Sequence, residues 1–186
     1  MLPSRSMFRW FIVLLLFSAN AYASPPDEME RMLADRGLAV QLQEMRHSVS
    51  DRASGLISTA MGFIGVPYRR GGSSAETGFD CSGFVRAIYE QAKGMVLPRK
   101  ASEQAAATEV IDKKDLQPGD LVFFNTMRRA FSHVGIYVGD GKFIHSPKPG
   151  AQVRVEDMRA GYWQTRFDGA RRVLASQFEG ANTATR

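Results

Sequence analysis

Apolar residues recur at helical spacing in two segments of the first half of the chain. In residues 51–64 the repeat predicts a core-facing helix, and its members are Leu56, Ile57, Ala60, Met61 and Ile64. In residues 82–93 a second stripe predicts another helix, with members Val85, Ile88, Tyr89 and Ala92. Gly94 then stands at the position of a C-terminal cap, so the second helix should end there.

Beyond Pro98 the pattern changes to short segments rich in β-branched and aromatic residues, separated by turns. They predict five strands: Leu121–Phe124, Val134–Val138, Phe143–His145, Val153–Val155 and Ala170–Leu174. Helices that come first and strands that follow are typical of an α+β domain. We therefore predict an α+β fold over residues 51–175, with helices packed on one antiparallel sheet.

The two flanking segments carry weaker patterns. Residues 24–50 are polar, with a faint helical rhythm interrupted by Gly37, which indicates a linker with one marginal helix. Residues 176–186 are poor in apolar residues and are typical of a flexible tail.

The first 23 residues have the order of a signal peptide. Arg5 and Arg9 precede the apolar run Trp10–Phe17, and Ala21–Ala23 gives the small-x-small pattern of a cleavage site. The run is shorter than the roughly 20 residues that span a membrane, and no Cys stands at the cleavage point as a lipoprotein requires. We predict cleavage, a periplasmic or secreted protein and no stable membrane insertion; an uncleaved anchor is the alternative.

The charge balance excludes one class of partner. The formal net charge of the whole chain is +5, and loss of the two arginines in residues 1–23 would lower it to +3. A mildly basic protein of this kind can linger on an anionic cell wall. It lacks the dense Lys/Arg stripe that a nucleic-acid-binding protein needs, so we expect no nucleic-acid partner.

The single cysteine, Cys81, is unusual for an exported protein, because exported proteins pair their cysteines in disulfides. A lone thiol is either buried and inert or retained for its chemistry. Cys81 lies where a Gly-rich loop meets a predicted helix, and free backbone N–H groups there, including that of Ser82, favour a thiolate and can stabilise an oxyanion. This position indicates a nucleophile with a lowered pKa, although Asp80 opposes that effect.

Two of the three histidines lie in the strand region. Alternation places His133 on the face opposite Val134 and Ile136, with Gly135 leaving space beside it. A two-residue hairpin loop at Asp140-Gly141 would pair Ile136 with His145 and put the histidines on opposite faces. A three-residue loop at residues 139–141, which we favour because glycine suits its third position, would pair Gly135 with His145 and bring both histidines to one face. His145 could then orient His133, which would take the proton of Cys81.

A zinc site is the alternative use of these three side chains. No CxxC or HxxxH spacing is present, and the set supplies only three ligands. We therefore predict neither a metal nor any other cofactor. His47 lies in the weakly patterned segment and is interpreted as a surface residue.

The chain resembles the NlpC-type family of cell-wall cysteine peptidases in several motifs that agree in order and spacing between about residues 53 and 173. These motifs are Gly65-Val66-Pro67-Tyr68, Gly71-Gly72, Gly78-Phe79-Asp80-Cys81-Ser82-Gly83-Phe84, Leu97-Pro98-Arg99 with Gln104, residues 116–124, Ser132-His133-Val134-Gly135-Ile136-Tyr137 and Phe143-Ile144-His145. The resemblance implies a papain-like core with Cys81 as nucleophile, His133 as base and His145 as third member. It also implies that the hydroxyl of Tyr68 lies near the nucleophile and helps to stabilise the oxyanion.

The resemblance further implies a substrate, the stem peptide of peptidoglycan, cut between γ-D-glutamate and diaminopimelate. Cleavage of the D-alanyl-diaminopimelate cross-link is one alternative, and amidase chemistry at N-acetylmuramoyl-alanine is a more distant one. A catalytically inactive wall-binding module is a hypothesis of another class. We expect a monomer.

A stem peptide carries free carboxylates, so its cleft should present fixed cations beside the nucleophile. Arg69 and Arg70 follow Tyr68 directly, and Arg99 lies in another loop that the fold could bring near. Arginine can hold a carboxylate through two parallel hydrogen bonds. We therefore expect at least one of the three to recognise the substrate, although each taken alone could be a solvated surface charge.

Overall fold

The computed structural model describes residue 37, residues 39–44 and residues 53–178. The chain divides into two compact units, residues 1–43 and 44–186. In the first unit, residue 37 and residues 39–43 are helical and exposed, so Gly37 itself has a helical conformation. The predicted signal peptide lies outside the described residues. Among the described helices, none has the length and apolar character to cross a membrane.

The first helix of the second unit, α1, is described at residues 53–61. Leu56 and Ala60 face the core as predicted, but Met61 is 36% exposed and Ile64 is 52% exposed. The helix ends sooner than the pattern indicated, and the chain turns at residues 62–65. Phe63, beyond the last helical turn, packs edge-on against Phe79 instead.

The second helix, α2, spans Cys81–Lys93 and confirms the predicted stripe. Its buried apolar side chains are Phe84, Val85, Ile88 and Tyr89. Gly94 ends it in the left-handed conformation, with φ of 67°, and donates its N–H to the carbonyl of Glu90 at 2.9 Å. Glycine suits this position because it has no Cβ to clash there.

Six antiparallel strands form the sheet, in the order β3-β8-β4-β5-β6-β7. Their bounds are β3 Glu109–Ile111, β4 Leu121–Phe124, β5 His133–Gly139, β6 Lys142–His145, β7 Arg154–Asp157 and β8 Phe167–Arg172. A two-stranded ribbon, β1 Ser73–Ser74 and β2 Gly78–Phe79, precedes α2. Two short α-helices, α3 Ala101–Ala106 and α4 Gly161–Gln164, and two 3-10 helices, Lys113–Asp115 and Ala175–Gln177, complete the described elements of the α+β fold. The sequence pattern did not indicate β3, α3 or α4.

Alternation along the strands gives the sheet two buried faces. On the α2 face, Phe123, Val134 and Ile136 join the main core with the apolar stripe of the helix. On the opposite face lies a second, smaller cluster: Val122, Phe124, Phe143, Met158 and Trp163. The histidines therefore project from a sheet that is covered on both sides.

The hairpin between β5 and β6 has the predicted register but a different loop. Ile136 pairs with Ile144 and Tyr137 with Phe143, so the same register sets Gly135 opposite His145. Gly139 pairs with Lys142, however, which leaves a two-residue turn and one extra residue in β5. Both turn residues, Asp140 and Gly141, have positive φ, as a type I′ turn requires. The bulge, rather than a longer loop, shifts the register by one residue.

Gly135→Ala should destabilise the protein by about 1–3 kcal/mol, because an added methyl group would overpack this site. A Cβ at residue 135 would lie 2.6 Å from the ring of Phe143 and 2.9 Å from the carbonyl oxygen of Ile144. Urea unfolding would measure the loss. Gly55→Ala is the matched control, since a Cβ there meets nothing within 4 Å; an equal loss in both variants would contradict this account.

Candidate active site

The carboxylate of Asp80 fixes the start of α2. Its Oδ1 accepts a hydrogen bond from the backbone N–H of Gly83 at 2.7 Å and thereby caps the helix. Its Oδ2 accepts from the N–H of Gly71 at 3.0 Å. Arg99 donates to both oxygens, at 2.9 and 2.7 Å. The Gly-rich loop, the first turn of α2 and the segment after α2 therefore meet at one carboxylate.

Cys81 is the first residue of α2 and borders a cavity of about 1240 Å³. The backbone N–H groups of Val134, Ser82 and Cys81 itself lie close to the sulfur and lower the thiol pKa. Burial and, second, the charge of Asp80 outweigh them and raise the pKa of Cys81 to about 11. The lowered pKa expected from the helix start is wrong for the free protein, because loss of water penalises the thiolate more than the amides stabilise it.

The two strand histidines meet, which confirms the predicted register. His133 begins β5, His145 ends β6, and Nε2 of His133 lies 2.7 Å from Nδ1 of His145. Both side chains are buried. Because one proton occupies the short contact between the rings, Nδ1 of His133 is the nitrogen that remains for another partner.

A fourth polar side chain, that of Glu156, continues the row formed by Cys81, His133 and His145. Oε1 of Glu156, on β7, lies 3.7 Å from Nε2 of His145, which has no hydrogen-bond partner within the described part of the chain. This separation exceeds hydrogen-bond length, so the contact is electrostatic. The pKa of Glu156 is lowered to about 2, first by interaction with His145 and also by Arg154 and Trp163.

Trp163 closes the row on the side of the second cluster. Its indole ring stacks on the imidazole of His133, with centroids 5.5 Å apart and planes inclined by 25°. Its Nε1–H donates a hydrogen bond to Oε2 of Glu156. Burial, followed by the proximity of His145, lowers the pKa of His133 to about 3. The imidazole is therefore neutral in the free protein at neutral pH.

Other sequence-predicted site residues differ in their positions. Tyr68, Ser82, Arg70 and Arg99 line the cavity with Cys81 and His133, whereas Arg69 does not. Burial, then the neighbouring Cys81 and Asp80, raises the pKa of Tyr68.

Arg99 differs from Arg70 in its contacts. Its guanidinium is ion-paired with Asp80 and also donates to Ser82 Oγ at 3.1 Å. Four further cations line the cavity: Lys100, Arg129, Lys148 and Arg154. Positive charge therefore surrounds the mouth of the cavity, while its acidic residues, Asp80 and Glu156, are already paired with arginines.

The described residues do not form the zinc site considered as an alternative. No group of three or more His, Cys, Asp or Glu side chains there has the arrangement of a metal site. His133 and His145 direct one nitrogen each at the other. Neither of those nitrogens is free to bind an ion.

Glu156 and Trp163 were not found from the sequence. The predicted fourth strand stopped at Val155, one residue short of Glu156. Had it been extended, alternation would have placed Glu156 on the same face as Arg154, which pairs with His145. Trp163 lies on a helix of four residues that carries no periodic signal.

Solved structures share this arrangement of helices and sheet. An NlpC/P60 family protein from Bacillus cereus superposes with a TM-score of 0.60 at 40% identity, over 66% of this chain and 40% of that one. The NlpC/p60 domain of the peptidoglycan hydrolase SagA gives a TM-score of 0.57 at 33% identity, over 65% of this chain and 98% of that domain. The fold is thus the papain-like α+β fold of these proteins.

The family model described as the NlpC/P60 family matches residues 65–172. The chain belongs to the NlpC/P60 family. It is 46% identical over 114 residues to the murein DD-endopeptidase MepH of Escherichia coli, covering 60% of this chain and 42% of that protein. It is 41% identical over 118 residues to the gamma-DL-glutamyl hydrolase of Bacillus subtilis, covering 63% and 28%. The chain thus spans less than half the length of these two relatives.

The neutral, buried state of His133 predicts how stability depends on pH. Its folded-state pKa is depressed to about 3, whereas an unfolded histidine titrates near 6.5. Between these values only the unfolded chain binds the proton, so the free energy of unfolding should fall as the pH falls below about 6.5. The contribution of one such histidine is about 1.4 kcal/mol per pH unit.

Urea unfolding of the wild type and of His133→Gln between pH 4 and 7 would measure this dependence. The variant should lose stability less steeply with acidification, by about one proton. Because carboxylates titrate in both proteins, the difference between the two slopes isolates the histidine. Identical slopes would show that His133 is protonated in the folded protein.

Proposed function

We propose that this protein is a thiol endopeptidase that cuts the stem peptides of peptidoglycan. One observation carries the proposal: Cys81 at a helix start and His133, which contacts His145 through its other ring nitrogen, border a single cavity. A nucleophile, a base and an orienting group in this order form the catalytic unit of thiol peptidases. An inactive wall-binding module has no need of the complete set, which is why we favour the enzyme.

In the proposed first step the sulfur of Cys81 attacks the scissile carbonyl carbon while its proton passes to Nδ1 of His133. The raised thiol pKa and lowered imidazole pKa mean that both groups start neutral. The base therefore acts during the attack rather than before it. The carbonyl oxygen becomes an oxyanion, which the N–H groups of Cys81 and Ser82 and the hydroxyl of Tyr68 are positioned to stabilise.

The second half of the reaction reverses the proton transfer. The imidazolium of His133 gives its proton to the leaving amine as the C–N bond breaks, which leaves an acyl group on the sulfur. His133 then takes a proton from water as the water oxygen attacks the acyl carbon. The C–S bond breaks, the carboxylic acid product leaves, and the sulfur takes the proton back from His133, which regenerates the thiol. The hydrogen bond to His145 stabilises the imidazolium in both transfers.

The bond that is cut lies within the stem peptide. We favour the D-glutamyl-diaminopimelate bond, and gamma-DL-glutamyl hydrolase is the name of one relative. The D-alanyl-diaminopimelate cross-link is the second candidate, because the relative MepH, at 46% identity, is called a murein DD-endopeptidase. Either substrate requires export to the cell wall, for which we propose residues 1–23 as a cleaved signal peptide.

Cys81→Ala should abolish the release of new amine termini from purified sacculi, because no other thiol can replace the nucleophile. Cys81 is the only cysteine of the chain, so iodoacetamide on the wild type should produce the same loss. Mass analysis of the released fragments would identify the bond. Release by the alkylated protein or by the variant would exclude thiol catalysis.

Arg70→Gln should reduce kcat/KM on an intact stem peptide by about tenfold, equivalent to ~1.4 kcal/mol. Arg70 lines the cavity, and no ion-pair partner was found for it among the described residues, so it can bind a substrate carboxylate. Arg69→Gln is the matched control, since the neighbouring arginine does not line the cavity. A peptide amidated at the recognised carboxylate should be cut equally well by all three proteins. Equal loss in both variants would assign the effect to general charge.

A further inference from the structure

The imidazole of His145 has one nitrogen that the row of histidines does not use. Nδ1 contacts His133 at 2.7 Å. Nε2 is buried, finds no hydrogen-bond partner among the described residues and faces Oε1 of Glu156 at 3.7 Å. Burying an N–H without a hydrogen-bond partner destabilises the folded protein, so a carboxylate that faces this nitrogen affects whether it carries a proton.

Glu156 is held in place from two sides. Trp163 donates its indole N–H to Oε2, and Arg154 donates to Oε1. The interaction with His145 first, and then these two contacts, keep the pKa of Glu156 low, so the side chain is a carboxylate and can only accept hydrogen bonds. Trp163 also stacks on His133. Trp163 therefore contacts both His133 and Glu156, the two neighbours of His145.

Two proton arrangements are open to a neutral pair of histidines. In the first, His145 carries its proton on Nε2 and His133 carries its own on Nε2, so that Nδ1 of His133 presents a lone pair. In the second, His145 carries its proton on Nδ1 and donates it to His133, whose Nδ1 then holds the proton. Only the first arrangement allows His133 to accept the proton of Cys81.

We propose that Glu156 is a positioning residue that selects the first arrangement. Its carboxylate attracts the Nε2 proton of His145, which leaves Nδ1 of His145 as an acceptor for the Nε2–H of His133. Glu156 thus sets the productive tautomer of His133 through His145, without contacting His133 itself. The wrong tautomer of a catalytic histidine disables catalysis even where the geometry is intact. The effect on turnover rests on the proposed function, whereas the tautomer does not.

Nuclear magnetic resonance of the ¹⁵N-histidine-labelled protein at pH 7 tests the tautomer directly. Two-bond ¹H–¹⁵N correlations distinguish a ring protonated on Nε2 from one protonated on Nδ1. In the wild type both His133 and His145 should carry the proton on Nε2. A proton on Nδ1 of His145 in the wild type would overturn the proposal, without any variant being needed.

Glu156→Ala should shift His145 towards the Nδ1–H form and lower kcat on a stem peptide by about tenfold, with KM changed by less than about twofold. Glu156→Gln should recover part of kcat, since its amide oxygen can still attract the Nε2 proton of His145. Asp157→Asn is the matched control: it removes the same charge from the next residue of β7, where the carboxylate is paired with Arg159 instead. It should leave the tautomers and kcat unchanged.

The outcomes separate this proposal from the proposed function. Unchanged tautomers and unchanged kcat in Glu156→Ala would show that Glu156 serves only its ion pair with Arg154. A loss of kcat with unchanged tautomers would assign the loss to distortion of the site and would also overturn the proposal. Absence of stem-peptide cleavage by the wild type, together with the expected tautomers, would refute the proposed function alone.

Discussion

The contact between Asp80 and Arg99 is the interaction on which the rest of the site depends. Through it the Gly-rich loop, the first turn of α2 and the segment that leads to α3 are held at one point. The arrangement has a cost for chemistry, because burial and, second, the same carboxylate raise the pKa of Cys81. The position of Cys81, the proposed nucleophile, is thus secured while its ionisation is disfavoured. A base that acts during the attack is the arrangement compatible with both facts.

The sheet is covered on both faces, and this burial explains why the imidazole of His133, the proposed base, is neutral. Phe124, Phe143 and Trp163 surround the histidines with aromatic rings. Such surroundings disfavour an imidazolium and keep His133 neutral. In the proposed mechanism, charge develops on the row only when substrate supplies an oxyanion nearby, and Glu156 lies at the far end as a fixed counter-charge. Low polarity around the row strengthens each of these interactions.

The spacing of apolar residues predicted those features that depend on neighbouring residues in the sequence. The stripe of α2, its glycine cap and the alternation of β4 and β5 followed from spacing alone. The pairing of the histidines was predicted correctly from an incorrect loop, because a bulge replaced the third loop residue. The thiol pKa was predicted in the wrong direction, since desolvation is set by distant elements. Glu156 was missed because its contact with His145 joins two strands whose pairing no short motif specifies.

The stacking of Trp163 on His133 also gives the site an optical signal. The chain contains two tryptophans, and one of them, Trp10, lies within the segment interpreted as a signal peptide. Residues 24–186 therefore contain a single indole, placed against the ring of the base. A cationic imidazole quenches indole emission more strongly than a neutral one. The fluorescence of the mature protein would thus report the charge of His133 during turnover, without an added label.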